Sequence, residues 1–156
     1  MTSPGRDIPG VIAPPPLIYL GGLAVGFVLE ALLPGGSFPG HVHHVVGALA
    51  LLLGLGLLGW WMRSFRRADT PMPPWEPTRT LVTDGPYRLT RNPAYLADVL
   101  VYAGIALLAD APWALLPLPL VVLLIDRGVI AREESYLQRR FGAAYLDLKA
   151  RTRRWI

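Results

Sequence analysis

The chain has 156 residues, of which 53% are hydrophobic and only 17% charged; its net charge is +4 and it contains no cysteine. A soluble domain needs roughly a quarter charged residues to cover its surface, so this composition excludes an ordinary soluble globule. The missing cysteines exclude disulfides, thiol catalysis and Cys-ligated metals. The basic excess comes without a nucleic-acid motif and suits a membrane rim beside anionic headgroups.

The leader Met1–Pro16 has one Arg, one Asp and the run Pro14-Pro15-Pro16. A signal peptide needs a basic start and a small-residue cleavage site, and Glu30-Ala31-Leu32-Leu33-Pro34 is not one. The first apolar run, Leu17–Leu33, is therefore predicted to remain as a helix. A bilayer core of about 30 Å needs about 20 helical residues. The second run, Val42–Met62, meets that length without a formal charge. Gly22 and Gly26 in the first helix, and Gly47, Gly54, Gly56 and Gly59 in the second, let backbones approach closely, as packed membrane helices require. Trp60 and Trp61 fall where an interfacial aromatic belt is expected.

Residues 63–92 form a loop far longer than the turn before it. Thr70–Pro77 is too rich in proline for a helix and is predicted extended. Leu81-Val82-Thr83 reads as a short strand or extended piece, and Asp84-Gly85-Pro86 is turn chemistry. A stiff loop of this length between membrane helices is more often functional than idle.

The third run, Ala94–Ala109, is short and carries only Asp98. The fourth, Pro112–Ile125, continues past Asp126 and Arg127 to about Ile130, with a kink predicted at Pro117 and Pro119. Asp98 and Asp126 lie near the membrane boundary, where pairing with arginine is the expected role. Beyond the fourth run Ile130, Leu137, Phe141, Tyr145 and Leu148 recur at helical spacing, which describes an amphipathic surface helix. Phe141-Gly142 either interrupts it or marks close packing.

Every Lys and Arg lies in the leader, in the 63–92 loop, or after residue 126; Pro34–His41 and Asp110–Ala111 have none. The positive-inside rule puts both termini and the loop in the cytoplasm. The expected fold is all-α, a polytopic membrane protein with about four transmembrane helices in two hairpins and a C-terminal amphipathic cytoplasmic helix. It forms one integral membrane domain over 1–156: an N-terminal hairpin (1–62), the loop (63–92), and a second hairpin with its tail (93–156).

The segment Leu81-Val82-Thr83-Asp84-Gly85-Pro86-Tyr87-Arg88-Leu89-Thr90-Arg91-Asn92-Pro93-Ala94-Tyr95 is followed by a membrane hairpin, then by Arg132-Glu133-Glu134, Phe141-Gly142, Tyr145 and Arg151. This order resembles the isoprenylcysteine carboxyl methyltransferase and phospholipid N-methyltransferase superfamily over about residues 70–156. The resemblance implies a membrane methyltransferase that uses S-adenosyl-L-methionine. Leu81, Val82, Gly85, Tyr87, Asn92, Pro93 and Tyr95 would line one side of the cofactor site, with Glu133 and Glu134 opposite. Asn92 stands where members of that superfamily often have His, and Arg151-Thr152-Arg153 stands for their Arg-Val-Pro.

The residue types suit that cofactor. Carboxylates accept hydrogen bonds from an ammonium or a ribose hydroxyl, tyrosine faces suit adenine or a cation, and amides near Pro86 and Pro93 are candidates for the cofactor carboxylate. Arg127, Arg132 and Glu133 are the candidate catalytic set, though both arginines equally suit anchoring at headgroups. Glu133-Glu134 on a surface helix would ordinarily be solvated charge, and the resemblance is what favours the site. The expected acceptor is a lipophilic small molecule or lipid bearing a carboxylate, phenol, amine or thiol. The expected location is a bacterial inner membrane, in contact with its lipids and with no nucleic acid; the oligomeric state is left open, a monomer being one option. No metal is expected. The alternative is a non-catalytic transporter subunit, or a metal or haem carrier, using His41, His43 and His44.

Overall fold

In a computed structural model the described residues, 8–33, 35–72 and 76–156, form helices and connecting turns with no strand among them. Arg6 and the Pro73-Pro74-Trp75 part of the proline-rich stretch lie outside the described residues. Helix α1, Pro15–Leu32, begins on proline, whose missing N–H costs nothing in a first turn. Helix α2, Val42–Arg67, outruns its predicted apolar stretch and ends on Arg66 and Arg67, cations favoured at the negative end of a helix dipole. Leu81–Thr83 has no regular secondary structure and does not become a strand. A 3-10 turn over Gly85–Arg88 follows, with Gly85 at φ +64° where a side chain would be strained.

Helix α3, Pro93–Leu108, also starts on proline. After a turn at Asp110 comes a 3-10 turn, Pro112–Leu115, then helix α4, Leu118–Ile125. Pro117 and Pro119 do not kink the middle of a helix as predicted. They sit at the start of α4, where no intrahelical bond is lost. A π turn, Asp126–Ile130, carries α4 into helix α5, Ala131–Phe141, without a break. Gly142, at φ +52°, then ends α5 and starts helix α6, Ala143–Arg151. A Cβ at Gly142 would meet nothing within 4 Å, so backbone geometry and not close packing selects glycine there.

Three stretches are long and apolar enough to cross a bilayer: α1, α2 and the continuous run Pro112–Phe141. Helix α3 is apolar but has 16 residues. The helix pairing differs from two sequential hairpins. Helix α2 packs along α3, while α1 packs on the Pro112–Leu115 turn, α4 and α3, and has no packed face with α2. The glycines explain this. A Cβ on Gly104 would approach Leu51 N at 2.7 Å, and one on Gly47 or Gly54 would strike the α3 backbone. Gly22 and Gly26 instead abut Val121 and Ala114, while Gly56 and Gly59 are open. Small residues do let backbones meet, but across the 63–92 loop and between the first and last membrane segments. The core where these segments converge holds Tyr19, Tyr102, Val121, Ile125, Val129 and Ile130, with Tyr95 and Val99 packed against it.

Candidate functional site

A cavity opens where α2 ends, α3 begins and α5 and α6 cross over them. Trp61 and Phe65 from α2, Leu81, Val82 and Tyr87 from the loop, and Asn92, Pro93, Ala94 and Tyr95 at the start of α3 form one side. Glu133, Glu134, Tyr136 and Leu137 from α5, with Tyr145 and Leu148 from α6, form the other. Leu137, Tyr145 and Leu148 of the predicted apolar stripe thus line this cavity, while Ile130 lies in the core. The loop holds its course because Thr70 Oγ1 accepts the Arg79 and Thr80 N–H groups. The Tyr136 hydroxyl accepts the Thr78 N–H at 3.1 Å.

The two adjacent glutamates have different surroundings. Glu133 is half-buried and accepts the Tyr95 hydroxyl at 2.7 Å, with no arginine on it among the described residues. Glu134, only 7% exposed, is held from two sides. Arg91 Nη2 lies 3.2 Å from its Oε1 and Arg154 Nη2 lies 2.6 Å from its Oε2. Arg154 also contacts Asp126 Oδ2 at 3.2 Å, and the Trp155 indole donates to Asp126 Oδ1. Asp126 therefore pairs with arginine as expected; Asp98 has no ion pair or hydrogen bond among the described residues. The hydrogen bond from Arg154 to Glu134 chiefly raises the guanidinium's already high pKa, so it stays charged.

The tail after α6 returns to the start of α3. Arg91 N–H donates to the Arg153 carbonyl. The Thr90 hydroxyl and Asn92 Nδ2 both donate to the Arg154 carbonyl, at 3.0 and 2.8 Å. Asn92 occupies the cap position of α3 without capping it. The first-turn N–H groups of that helix, which helix geometry leaves without intrahelical partners, are beside the cavity at Ala94 and Tyr95. Amides near Pro86 are engaged differently: Leu89 and Thr90 N–H both return to the Pro86 carbonyl.

Of the residues read from sequence as cofactor-binding, all but Gly85 line the cavity. Gly85 lies behind it, against Ser64 and Trp60. Arg127 and Arg132 do not reach it. The Arg127 side chain is 79% exposed beside Asp126 on the π turn. Arg132, about 100° around α5 from Glu133, donates to the Gly10 carbonyl at 2.7 Å. Trp61 is the reverse case. Unlike Trp60, it turns inward from the expected aromatic belt and donates to the Tyr87 hydroxyl at 3.1 Å. Burial raises the Tyr87 pKa and, with help from the Glu134 charge, pushes Tyr145 up to about 12, so both phenols are neutral. Tyr136 and Phe65 carried no sequence signal beyond their aromatic character.

The histidines occupy the other end of α2, about 27 Å from Trp61 at about 1.5 Å per residue. His43 is buried, its ring centroid 5.2 Å from Phe38 and 4.0 Å from His44. Its Nε2 lies 3.3 Å from Asp110 Oδ1 but off the line of a hydrogen bond. Among the described residues no group of three or more His, Cys, Asp or Glu side chains is arranged to hold a metal ion.

The phospholipid methyltransferase family model matches residues 42–144. The chain belongs to that family. The match starts at α2 and ends at the beginning of α6, so it spans nearly all of the cavity's lining, and it agrees with the resemblance seen in the sequence. Membership makes the chain, at family level, a membrane methyltransferase. It is also similar to an uncharacterized protein of Haemophilus influenzae, 36% identical over 62 residues, which cover 40% of this chain and 98% of that protein.

Proposed function

We propose that this protein transfers a methyl group from S-adenosyl-L-methionine to a lipophilic acceptor, in the cavity between the start of α3 and helices α5 and α6. Methyltransferases of its family generally use that donor. The observation that carries the reading is the Glu133–Tyr95 pair, a carboxyl group that among the described residues has no arginine partner, in a cavity rich in aromatic side chains.

The residues present fit the donor. Glu133 retains acceptor lone pairs for an ammonium or a ribose hydroxyl beyond the one taken by Tyr95. Tyr87, Tyr145 and Trp61 offer faces to a flat base or a sulfonium. The open N–H groups at the first turn of α3 suit a carboxylate. When bound, the donor supplies an electrophilic methyl whose C–S bond breaks as the new bond to the acceptor forms, the sulfur keeping the electron pair. The chain's part is to hold both partners in line and to exclude water. Glu134 is a structural member, neutralised by Arg91 and Arg154, and its carboxylate keeps the cavity's second wall in place.

The acceptor enters from the bilayer, and its reacting atom is a carboxylate, phenol, amine or thiol. The chain is one integral membrane unit of four spans, α3 being the short one, in a bacterial inner membrane with both termini and the 63–92 loop cytoplasmic. The segregation of Lys and Arg supports that orientation. The decisive experiment incubates purified protein with radiolabelled S-adenosyl-L-methionine and a membrane lipid extract. Label in the organic phase that depends on Glu133 supports the reading. No labelled lipid, together with no binding of S-adenosylhomocysteine by calorimetry, overturns it.

A further inference from the structure

Three pieces of the chain meet beside the cavity, and one residue ties them together. The first piece is Thr90–Asn92 ahead of α3, the second is α5 with Glu134, and the third is the π turn with Asp126 at the end of α4. Arg154 lies outside the cavity, yet its guanidinium bridges Asp126 and Glu134. Its carbonyl receives Thr90 and Asn92. The neighbouring indole of Trp155 adds a second donor to Asp126.

We propose that Arg154 is the positioning residue of the cofactor site, setting the distance between the Asn92 wall and the α5 wall. The inference rests on the cofactor reading given above. A site built from loops and helix ends binds well only if its walls are already in place. Arg154 supplies that restraint from the tail, through Glu134 on one side and Asn92 on the other. Asp126 holds the guanidinium in the orientation that lets it reach Glu134. The π turn puts Asp126 where it can do so, in keeping with the frequent occurrence of such turns at functional sites.

The test uses the full chain in detergent. Arg154→Met, Arg154→Lys and Asp126→Asn are compared with wild type and with Arg151→Met. That last change removes the same charge from an exposed side chain that, among the described residues, bonds only to the Asp147 carbonyl of its own helix. Affinity for S-adenosylhomocysteine is measured by calorimetry and melting temperature on the same preparations. Asn92 is the only asparagine in the chain, so 15N-asparagine labelling gives one side-chain amide pair as a spectroscopic reporter of the wall. Arg154→Met is expected to weaken binding at least tenfold and to displace the Asn92 amide signals. Arg154→Lys should recover part of both, Asp126→Asn should lose several-fold, and Arg151→Met should match wild type.

Affinity within twofold of wild type in Arg154→Met, with the Asn92 signals in place, would overturn the proposal even if the melting temperature fell. If Arg154→Met does not fold, Arg154→Lys decides by the same two readouts and Asp126→Asn, which adds a second asparagine, by affinity alone. Wild-type protein that binds no S-adenosylhomocysteine overturns the cofactor reading itself, a result distinct from variants that all bind alike.

Discussion

Glu133 and Glu134 are adjacent in sequence, and the same substitution should do different things to them. Glu133→Gln leaves the Tyr95 contact possible but, in buffer of about pH 8 or above where the carboxyl is ionised, removes a charged acceptor from the cavity. Charge-assisted hydrogen bonds are worth about 1.5–3 kcal/mol, so S-adenosylhomocysteine should bind roughly tenfold or more weakly, with the melting curve little changed. Glu134→Gln strands Arg91 and Arg154, and breaking a buried pair from one side costs about 3–5 kcal/mol. Its mark should be a lower melting temperature, together with the weaker binding expected when the Arg154 tether is lost. Calorimetry and thermal melts on both variants check the division, and an equal loss of affinity with equal stability in the two would refute it. From sequence the pair looked equivalent, because the partners that separate them lie 43 and 20 residues away. Asp110 makes a second, pH-dependent case. The Phe38 N–H first, and then the Ser37 hydroxyl, hold its carboxyl below the ordinary range. A lowered native pKa contributes stability that is present above the unfolded value, about 3.9, and lost as pH falls through the native one. Wild type should therefore melt above Asp110→Asn at neutral pH, and that margin should shrink once pH drops below about 4.

Among elements, apolar run length was a sufficient guide to helices. Leu17–Leu33 and Val42–Met62 appear as α1 and the bulk of α2, and Phe141-Gly142 does divide the C-terminal helix. Helix pairing was less legible. A glycine reports that a backbone comes close, but its spacing does not name the partner. Gly47 and Gly54 suited a sequential hairpin as well as they suit α3. The structure makes the difference testable. Gly104→Ala should force α2 and α3 apart, since its Cβ would lie 2.7 Å from Leu51 N and 2.9 Å from Gly47 O, backbone atoms that cannot swing aside. A loss of about 1–3 kcal/mol is expected, as for other overpacked contacts. Gly56→Ala, with nothing within 4 Å, should be neutral. Thermal melts in one detergent compare them. The cavity walls were legible only where a motif marked them. Tyr87, Asn92, Pro93 and Tyr95 came from the resemblance, whereas Trp61 and Arg154 needed the three-dimensional return of α2 and the tail.

At the scale of the whole molecule, charge segregation and cavity position give a joint expectation. The cavity, the arginine-rich loop and the tail share one end, while His41–His44 and Asp110 share the other. Cysteines introduced singly at Glu76 and His41, both exposed, should label from opposite sides of sealed vesicles, with position 41 reached from outside. Labelling of position 76 by an impermeant reagent from outside would reverse the proposed orientation.

The missing face between α1 and α2 bears on how the protein is made. Helix α1 is synthesised first, yet Gly26 abuts Ala114, and the other surfaces that cover α1 lie later still or on α3. At about 5–20 residues per second, the ribosome needs several seconds to more than ten before that partner exists. Until α3 and then the last segment are made, α1 lacks the surfaces that Gly22 and Gly26 face. Helix α2, by contrast, meets α3 as soon as the next apolar segment emerges. Assembly is therefore ordered: the α2–α3 pair forms early and the first helix docks last, onto a surface completed by the final membrane segment.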